Sequence, residues 1–344
     1  KIGSREFDFV TALIPSWAEP PMIINTLMPF LSRPILLWAL PSFREGDALI
    51  APAGAAGMAA VMHPLRAMGA KPKVAYGGRE SDRVRGQVAS FARAASAINR
   101  LAHSRVGIFG YADMGSYTAA FDQTSLRSKL GVEVEDYEVH RLLSRANEVN
   151  DEDVNDFIIK RIGEWMVDEN VAKEDLKRAI RVYLALERIV DERKFNAVSM
   201  KCVYGLPIYY GITPCVPLAL IGARMPVVCE SDTLGLVTEL AMDYVSGQRS
   251  VYLEFYDIFD DRVLMGVCGM IPQPALTEAP RLYKYAWGKL TGLMLVGPMR
   301  TGKVTLARLA SEGDRYAMHI AVGEAMKPRT WHEIGWQLEA PLYP

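Results

Sequence analysis

Residues 227–235 read Val227-Val-Cys-Glu-Ser-Asp-Thr-Leu-Gly. The apolar Val-Val-Cys run has the length of a buried strand, and it stops on a carboxylate. Leu234, Val237, Ala241 and Tyr244 then recur at helical spacing, so a helix follows at once. Ser231 can cap that helix, and Asp232 suits its first turn, beside the positive end of the helix dipole. Strand, polar turn and helix form the repeating unit of an α/β sheet, in which functional groups gather outside the carboxyl ends of strands. Glu230 stands there either as a ligand or base or as a salt-bridged loop residue. For Asp232, helix capping is the favoured reading.

The same alternation extends upstream. Short apolar runs at Phe7–Ile14, Pro34–Leu40 and Lys73–Tyr76 read as strands, separated by helical patterns around Met22–Leu31, Ala53–Met68 and Glu80–His103. Arg105–Gly110 starts a second unit with a strand and a glycine turn. A helix over Thr118–Lys129, Gly131 and a strand at Val132–Val134 follow. Asn150 opens a helix with an acidic first turn, and Leu176, Ile180, Tyr183 and Leu184 lie on one apolar helix face. Phe195–Met200 and Pro226–Cys229 read as further buried strands. After about residue 250 the pattern changes to short alternating segments: Val251–Phe255, Arg262–Val267, Leu290–Val296, Lys303–Leu309 and Tyr316–Val322. The expectation is an α/β protein with two α/β domains (residues 1–103 and 104–249) followed by an antiparallel β domain (250–344).

Apolar residues make up 50% of the 344-residue chain and charged residues 23%, which excludes a mainly disordered polymer. Lys and Arg total 39 against 40 Asp and Glu, so no global basic field exists and neither a nucleic acid nor a membrane partner is expected. No apolar stretch approaches 18 residues, so no membrane-spanning helix is expected, and no secretory signal is read. The four cysteines (Cys202, Cys215, Cys229, Cys268) form no CxxC pair. They read as buried free thiols, consistent with a cytoplasmic protein.

A second carboxylate, Glu254, lies on the Val251–Phe255 strand, with Asp257, Asp260 and Asp261 beyond it; Asp260-Asp261 reads as a solvated turn. Two carboxylates from separate strand ends suit a hard divalent cation, or acid–base transfer of a proton between two carbons. Gly297-Pro-Met-Arg-Thr-Gly-Lys-Val resembles a phosphate-binding loop, but Val304 replaces the magnesium-binding hydroxyl and the flanks read as strands. A hairpin turn is expected there. The five histidines form no HxH or HxxxH spacing, and no GxSxG or GxGxxG motif is present.

Taken in order, several segments between Phe195 and Pro272 resemble the L-fucose isomerase and L-arabinose isomerase superfamily, in particular its shorter members. These are Phe195-Asn-Ala-Val-Ser-Met-Lys-Cys, Thr213-Pro-Cys-Val-Pro-Leu-Ala-Leu, Cys229-Glu-Ser-Asp, Ser246-Gly, Val251-Tyr-Leu-Glu and Val267-Cys-Gly-Met-Ile-Pro. Arg105-Val-Gly-Ile-Phe-Gly, Lys129-Leu-Gly-Val-Glu-Val and Leu36-Leu-Trp-Ala-Leu-Pro fit the family's upstream strands. The resemblance implies two Rossmann-like or flavodoxin-like domains and a β domain. It implies interconversion of an aldose and a ketose through an ene-diol with manganese or another divalent cation. Glu230 and Glu254 are then both the metal ligands and the catalytic carboxylates, with Asp257 as the fallback for the second.

Two departures accompany the resemblance. The family's His-Cys-Gly histidine is Val267 here, and the family's metal-binding histidine falls in a segment expected beyond Pro344. His319 and His332 have no clear claim to that role. A strand–helix segment is likewise expected ahead of Phe7. For substrate contact the resemblance and pocket logic point to Trp17, Trp38, Met114 and Tyr117 around a small unphosphorylated sugar. The family also implies a homo-oligomer, a trimer or hexamer. Two other readings are left open: a sugar-binding or regulatory relative with the same fold and no catalysis, and an enzyme that catalyses epimerisation or another ene-diol step instead.

Overall fold

The computed structural model describes residues 6–287, 290–327 and 336–340. By its contacts the chain forms two compact units. The first runs to Arg100 and includes Tyr244–Ser246; the second holds Leu101–Asp243 and the chain from Gly247 on.

The first unit contains β1 (Val10–Ile14), α1 (Pro20–Leu27), β2 (Ile35–Ala39), a small hairpin of β3 (Phe43–Glu45) and β4 (Ala48–Ile50), α2 (Gly54–Ala67), β5 (Lys73–Tyr76) and α3 (Asp82–Ala102). β1, β2 and β5 form a parallel sheet with β2 in the middle. The sequence of β2, Ile-Leu-Leu-Trp-Ala, is apolar throughout because both of its faces are covered. Ile35 and Leu37 pack with Leu27 of α1 and Val61 and Leu65 of α2. Leu36 packs on the other face with Ala75 of β5 and Val84 of α3.

The second unit begins with β6 (Arg105–Phe109), α4 (Gln123–Leu130), β7 (Glu133–Tyr137), α5 (Val139–Asn147), α6 (Asp151–Phe157), a short β8 (Met166–Val167) and α7 (Lys173–Arg193). It continues with β9 (Ala197–Met200), α8 (Cys215–Ile221), β10 (Val227–Cys229) and α9 (Thr233–Ser246). Its sheet is parallel in the order β10-β9-β6-β7. From β6 the chain moves to β7 on one side, then crosses back to β9 on the other. The strand order therefore reverses between β6 and β9, the place where open α/β sheets present ligand crevices at their carboxyl ends.

The antiparallel strands follow: β11 (Glu254–Ile258) with β12 (Val263–Val267), β13 (Arg281–Trp287) with β14 (Leu290–Val296), and the long ribbon of β15 (Gly302–Glu312) with β16 (Arg315–Ala325). β17 (Trp336–Ala340) pairs with β12, and β8 adds to β13. Val267, Leu282 and Leu293 bury in the same apolar core as Ile180 and Leu186 of α7 and Val198 of β9. The chain is thus α/β with two parallel sheets and C-terminal antiparallel β hairpins. No helix among the described residues is long and apolar enough to cross a membrane.

Most sequence expectations hold at the level of elements. Asn150 caps α6 by accepting the Asp153 N–H at 2.7 Å, and Leu176, Ile180 and Tyr183 are buried along α7. Three expectations are corrected. The helix expected from Thr118 starts only at Gln123, because Asp122 provides the cap, accepting the Ser125 N–H at 2.7 Å. The strand expected at Val251–Phe255 is displaced to Glu254–Ile258, while Tyr252 and Leu253 pack against the core ahead of the ladder. The Gly297–Val304 stretch crosses residues 297–301 between β14 and β15 and runs into β15, with no helix to bind phosphate, but it is not a hairpin turn, since β14 and β15 pair with different partners.

The core offers a direct check. A Cβ built on Gly107 of β6 would lie 2.6–2.9 Å from the Phe195 ring. Overpacking of this kind costs about 1–3 kcal/mol. Gly107→Ala is expected to lower the unfolding free energy by that amount and so shift the denaturation midpoint down; an unchanged midpoint would contradict the packing of β6 against Phe195.

Candidate functional site: two carboxylates at the strand ends

The site is built where β10 ends. Cys229 is buried, and the next two residues, Glu230 and Ser231, both take the left-handed backbone region (φ 62° and 57°). Neither is glycine, so the turn stores about 1–3 kcal/mol per residue and must be held by its surroundings. Asp113, on the loop after β6, donates its N–H to the Glu230 carbonyl at 3.3 Å. Its fully buried carboxylate accepts the N–H groups of Cys202 (2.6 Å) and Val203 (2.5 Å) after β9, and that of Met114 (3.0 Å). One side chain thus ties together the loops after β6, β9 and β10.

Asp232, not Ser231, caps α9: its Oδ1 accepts the Gly235 N–H at 2.9 Å. The Ser231 hydroxyl is buried and, among the described residues, has no hydrogen-bond partner. Asp232 also forms an ion pair with Arg308 of β15, which donates in addition to the Thr118 carbonyl at 3.2 Å. The Leu309 N–H donates to Thr238 Oγ1 of α9 at 2.8 Å. The ribbon therefore clamps the start of the helix that follows the site.

Glu254 enters from β11, where it opens the strand opposite Gly266. The structure brings it to Glu230: the Cys229 sulfur and one oxygen from each carboxylate all lie within 4.8 Å of one another. Burial, followed by the neighbouring Glu254 charge and then Cys268, Asp113 and Asp232, pushes the Glu230 carboxyl up to about 8. Burial, then Cys268 and Asp232, pushes Glu254 up to about 7. Among the described residues, the leading charges acting on the pair are all acidic groups or thiols, which leaves its mutual repulsion uncompensated there. Tyr252 and Tyr256 stand in the same field, and burial, reinforced by these charges, holds both phenols protonated as hydrogen-bond donors.

The thiols gather behind the pair. Cys202, Cys215 and Cys268 interact with one another, and burial holds the Cys229 thiol well above its usual range. All four are free; Cys268 alone is only half-buried. A cavity of about 310 Å³ opens on the loop after β9, lined by Lys201, Tyr204, Leu206 and Tyr209 with Val139 and Gly205.

The other sequence candidates lie as follows. Met114 has a left-handed backbone (φ 49°) and a half-exposed side chain, while Tyr117 is 94% exposed. Trp17 and Trp38 belong to the first unit. Trp17 is half-exposed, and the Trp38 indole N–H donates to the Gly77 carbonyl at 2.8 Å. Asp257 is exposed and bonded to the Ile258 N–H, outside the carboxylate group. Asp260 and Asp261 form the expected turn. His319 is exposed and pairs with Glu312, and His332 lies outside the described residues. Val267 is fully buried. Sequence reading overlooked Asp113, Arg308, Tyr252 and Tyr256. The period-two spacing Tyr252-Glu254-Tyr256 could have flagged the tyrosines; no local signal marks Asp113 or Arg308. Compared with known proteins, the chain matches no family model and no curated protein sequence.

Two outcomes are expected. Asp113→Ala strands three backbone N–H groups and should cost about 2–4 kcal/mol in urea unfolding; a loss under about 0.5 kcal/mol would contradict the role of Asp113. The metal-free protein should also lose stability as pH rises. Unfolded carboxyls ionise near 4.5, whereas the folded pair keeps its protons to about 8 and 7. Between these values the folded state binds more protons, so stability is full below about pH 4.5 and falls up to about pH 8. After allowance for solvent screening, Glu230→Gln should gain on the order of 1 kcal/mol at pH 8 and flatten the slope. A stability that climbs across this range in both proteins would contradict the electrostatics.

Proposed function

We propose that the protein is a metal-dependent aldose–ketose isomerase of the L-fucose/L-arabinose isomerase type, acting on a small unphosphorylated sugar. The observation that supports this best is the convergence of Glu230 and Glu254 from separate segments into one half-buried pair, with no countercation among the leading charges of the described residues. On this reading the two parallel sheets are Rossmann-like or flavodoxin-like domains, followed by a β domain, in a cytoplasmic homo-oligomer, a trimer or hexamer. The donor set fits a divalent cation, whose charge would relieve the repulsion that raises both carboxyls.

Glu230 and Glu254 would hold the ion, manganese being the expected one. When bound, it would polarise the carbonyl and hydroxyl oxygens of the sugar. The chain's own groups handle the protons. On this reading a carboxylate of the pair takes the proton from C2 of the aldose and returns it at C1 of the ene-diol. Tyr252 and Tyr256, held protonated, donate hydrogen bonds that orient sugar hydroxyls. Asp113 positions Glu230 without touching the substrate.

The burial of Val267, where the resemblance places a histidine, favours a second reading: a relative that binds sugar without turning it over. NMR in deuterated water separates the two. The isomerase incorporates deuterium at C1 or C2 of a converted sugar, and Glu230→Gln lowers turnover by about 10²–10⁴-fold with folding intact. Sugar binding by calorimetry with no exchange on any aldose tested would overturn the catalytic reading.

A further inference from the structure

The metal site just proposed has two oxygen donors and lacks a third ligand among the histidines described. The geometry places a sulfur there instead. We infer that Cys229 is the third protein ligand of the Glu230–Glu254 site, and that the site therefore takes a thiophilic borderline cation such as zinc or cobalt(II) in preference to manganese or magnesium. This inference rests on the metal-site reading above.

Three observations carry it. First, the Cys229 sulfur lies within 4.8 Å of an oxygen of each carboxylate; among the described residues no other group of three such side chains is gathered as closely. Ligands around one ion, with Zn–S near 2.3 Å and Zn–O near 2.1 Å, stand about 3.6 Å apart, so the three need close by only about 1 Å. Second, the backbone is bent to make this group. Successive side chains of a regular strand point to opposite faces. Left-handed conformations at Glu230 and Ser231, unusual for non-glycine residues, break that alternation directly after Cys229. Third, the remaining thiols are engaged elsewhere. Cys202 and Cys215 hydrogen-bond with one another and with Cys268, and Cys268, though close enough to act on both carboxylates, lies outside the three-donor group.

The chemistry then follows from donor type. Carboxylate-only sites suit magnesium and manganese, whereas a thiolate shifts the preference toward zinc and its neighbours. Binding forms a metal–sulfur bond and releases the Cys229 thiol proton to solvent, with no change in oxidation state.

The test uses the full chain titrated with cobalt(II) alone, then challenged with zinc, manganese and magnesium chlorides. The expected result is a thiolate-to-cobalt charge-transfer band in the near ultraviolet. It should be abolished by zinc and untouched by equal manganese. It should be lost in Cys229→Ser and kept in Cys268→Ser. Outer-shell partners alone are worth about 10–100-fold in affinity, so losing this ligand should weaken zinc binding at least about tenfold. X-ray absorption on the zinc-loaded wild type needs no variant and should show one sulfur at about 2.3 Å. Cobalt bound through oxygen only, or a band lost with Cys268→Ser instead, overturns this inference and leaves the two-carboxylate site standing. No bound metal of any kind overturns both.

Discussion

The Asp113 carboxylate is the interaction on which the rest of the site depends. It is fully buried and accepts backbone N–H groups from two strand-end loops, while its own N–H holds the carbonyl of Glu230. A buried charge is stable only when its acceptor capacity is met, and here backbone donors meet it. The loops after β6, β9 and β10 are thereby fixed together at the point where the strand order reverses. The left-handed turn at Glu230 and Ser231 persists because this lattice, together with the Asp232 cap and its Arg308 partner, leaves it no alternative.

What is held there is electrostatically uncomfortable. Two carboxylates, two half-buried tyrosines and a buried thiol share one site, and among the described residues no cation figures in the leading charges on the pair. Folding energy from the apolar core supports an arrangement that would not assemble unaided. Such local tension is characteristic of sites built for a ligand, because a bound cation or a shared proton relieves it. The antiparallel strands contribute directly: β11 supplies Glu254 and Tyr256, and β15 supplies the arginine that steadies the helix after Glu230.

Much of the fold was legible because β2, β5, β6 and β9 are apolar runs bounded by polar turns, and Lys73–Tyr76 was read with its observed limits. Glu230 was legible because a carboxylate directly after such a run is a local signal. Glu254 carries its signal on a strand that is displaced from the expected one: Tyr252 and Leu253 pack against the core without entering the ladder, which periodicity alone does not reveal. Asp113, Arg308 and the gathering of four cysteines were not legible. Each depends on segments dozens of residues apart, such as Asp232 with Arg308, and only the fold brings them together. Asp232 and not Ser231 is the cap because α9 starts at Thr233 and Ser231 takes the left-handed region, and Arg308 on the same carboxylate is again a distant partner.

The most direct test of the central claim, that Glu230 and Glu254 form a cation site, is elemental analysis of full-length protein purified with divalent metals available, beside Glu230→Ala. The account predicts about one equivalent of metal per chain in the wild type and its loss in the variant. No stoichiometric metal in the wild type, or metal retained in full by Glu230→Ala, would contradict it.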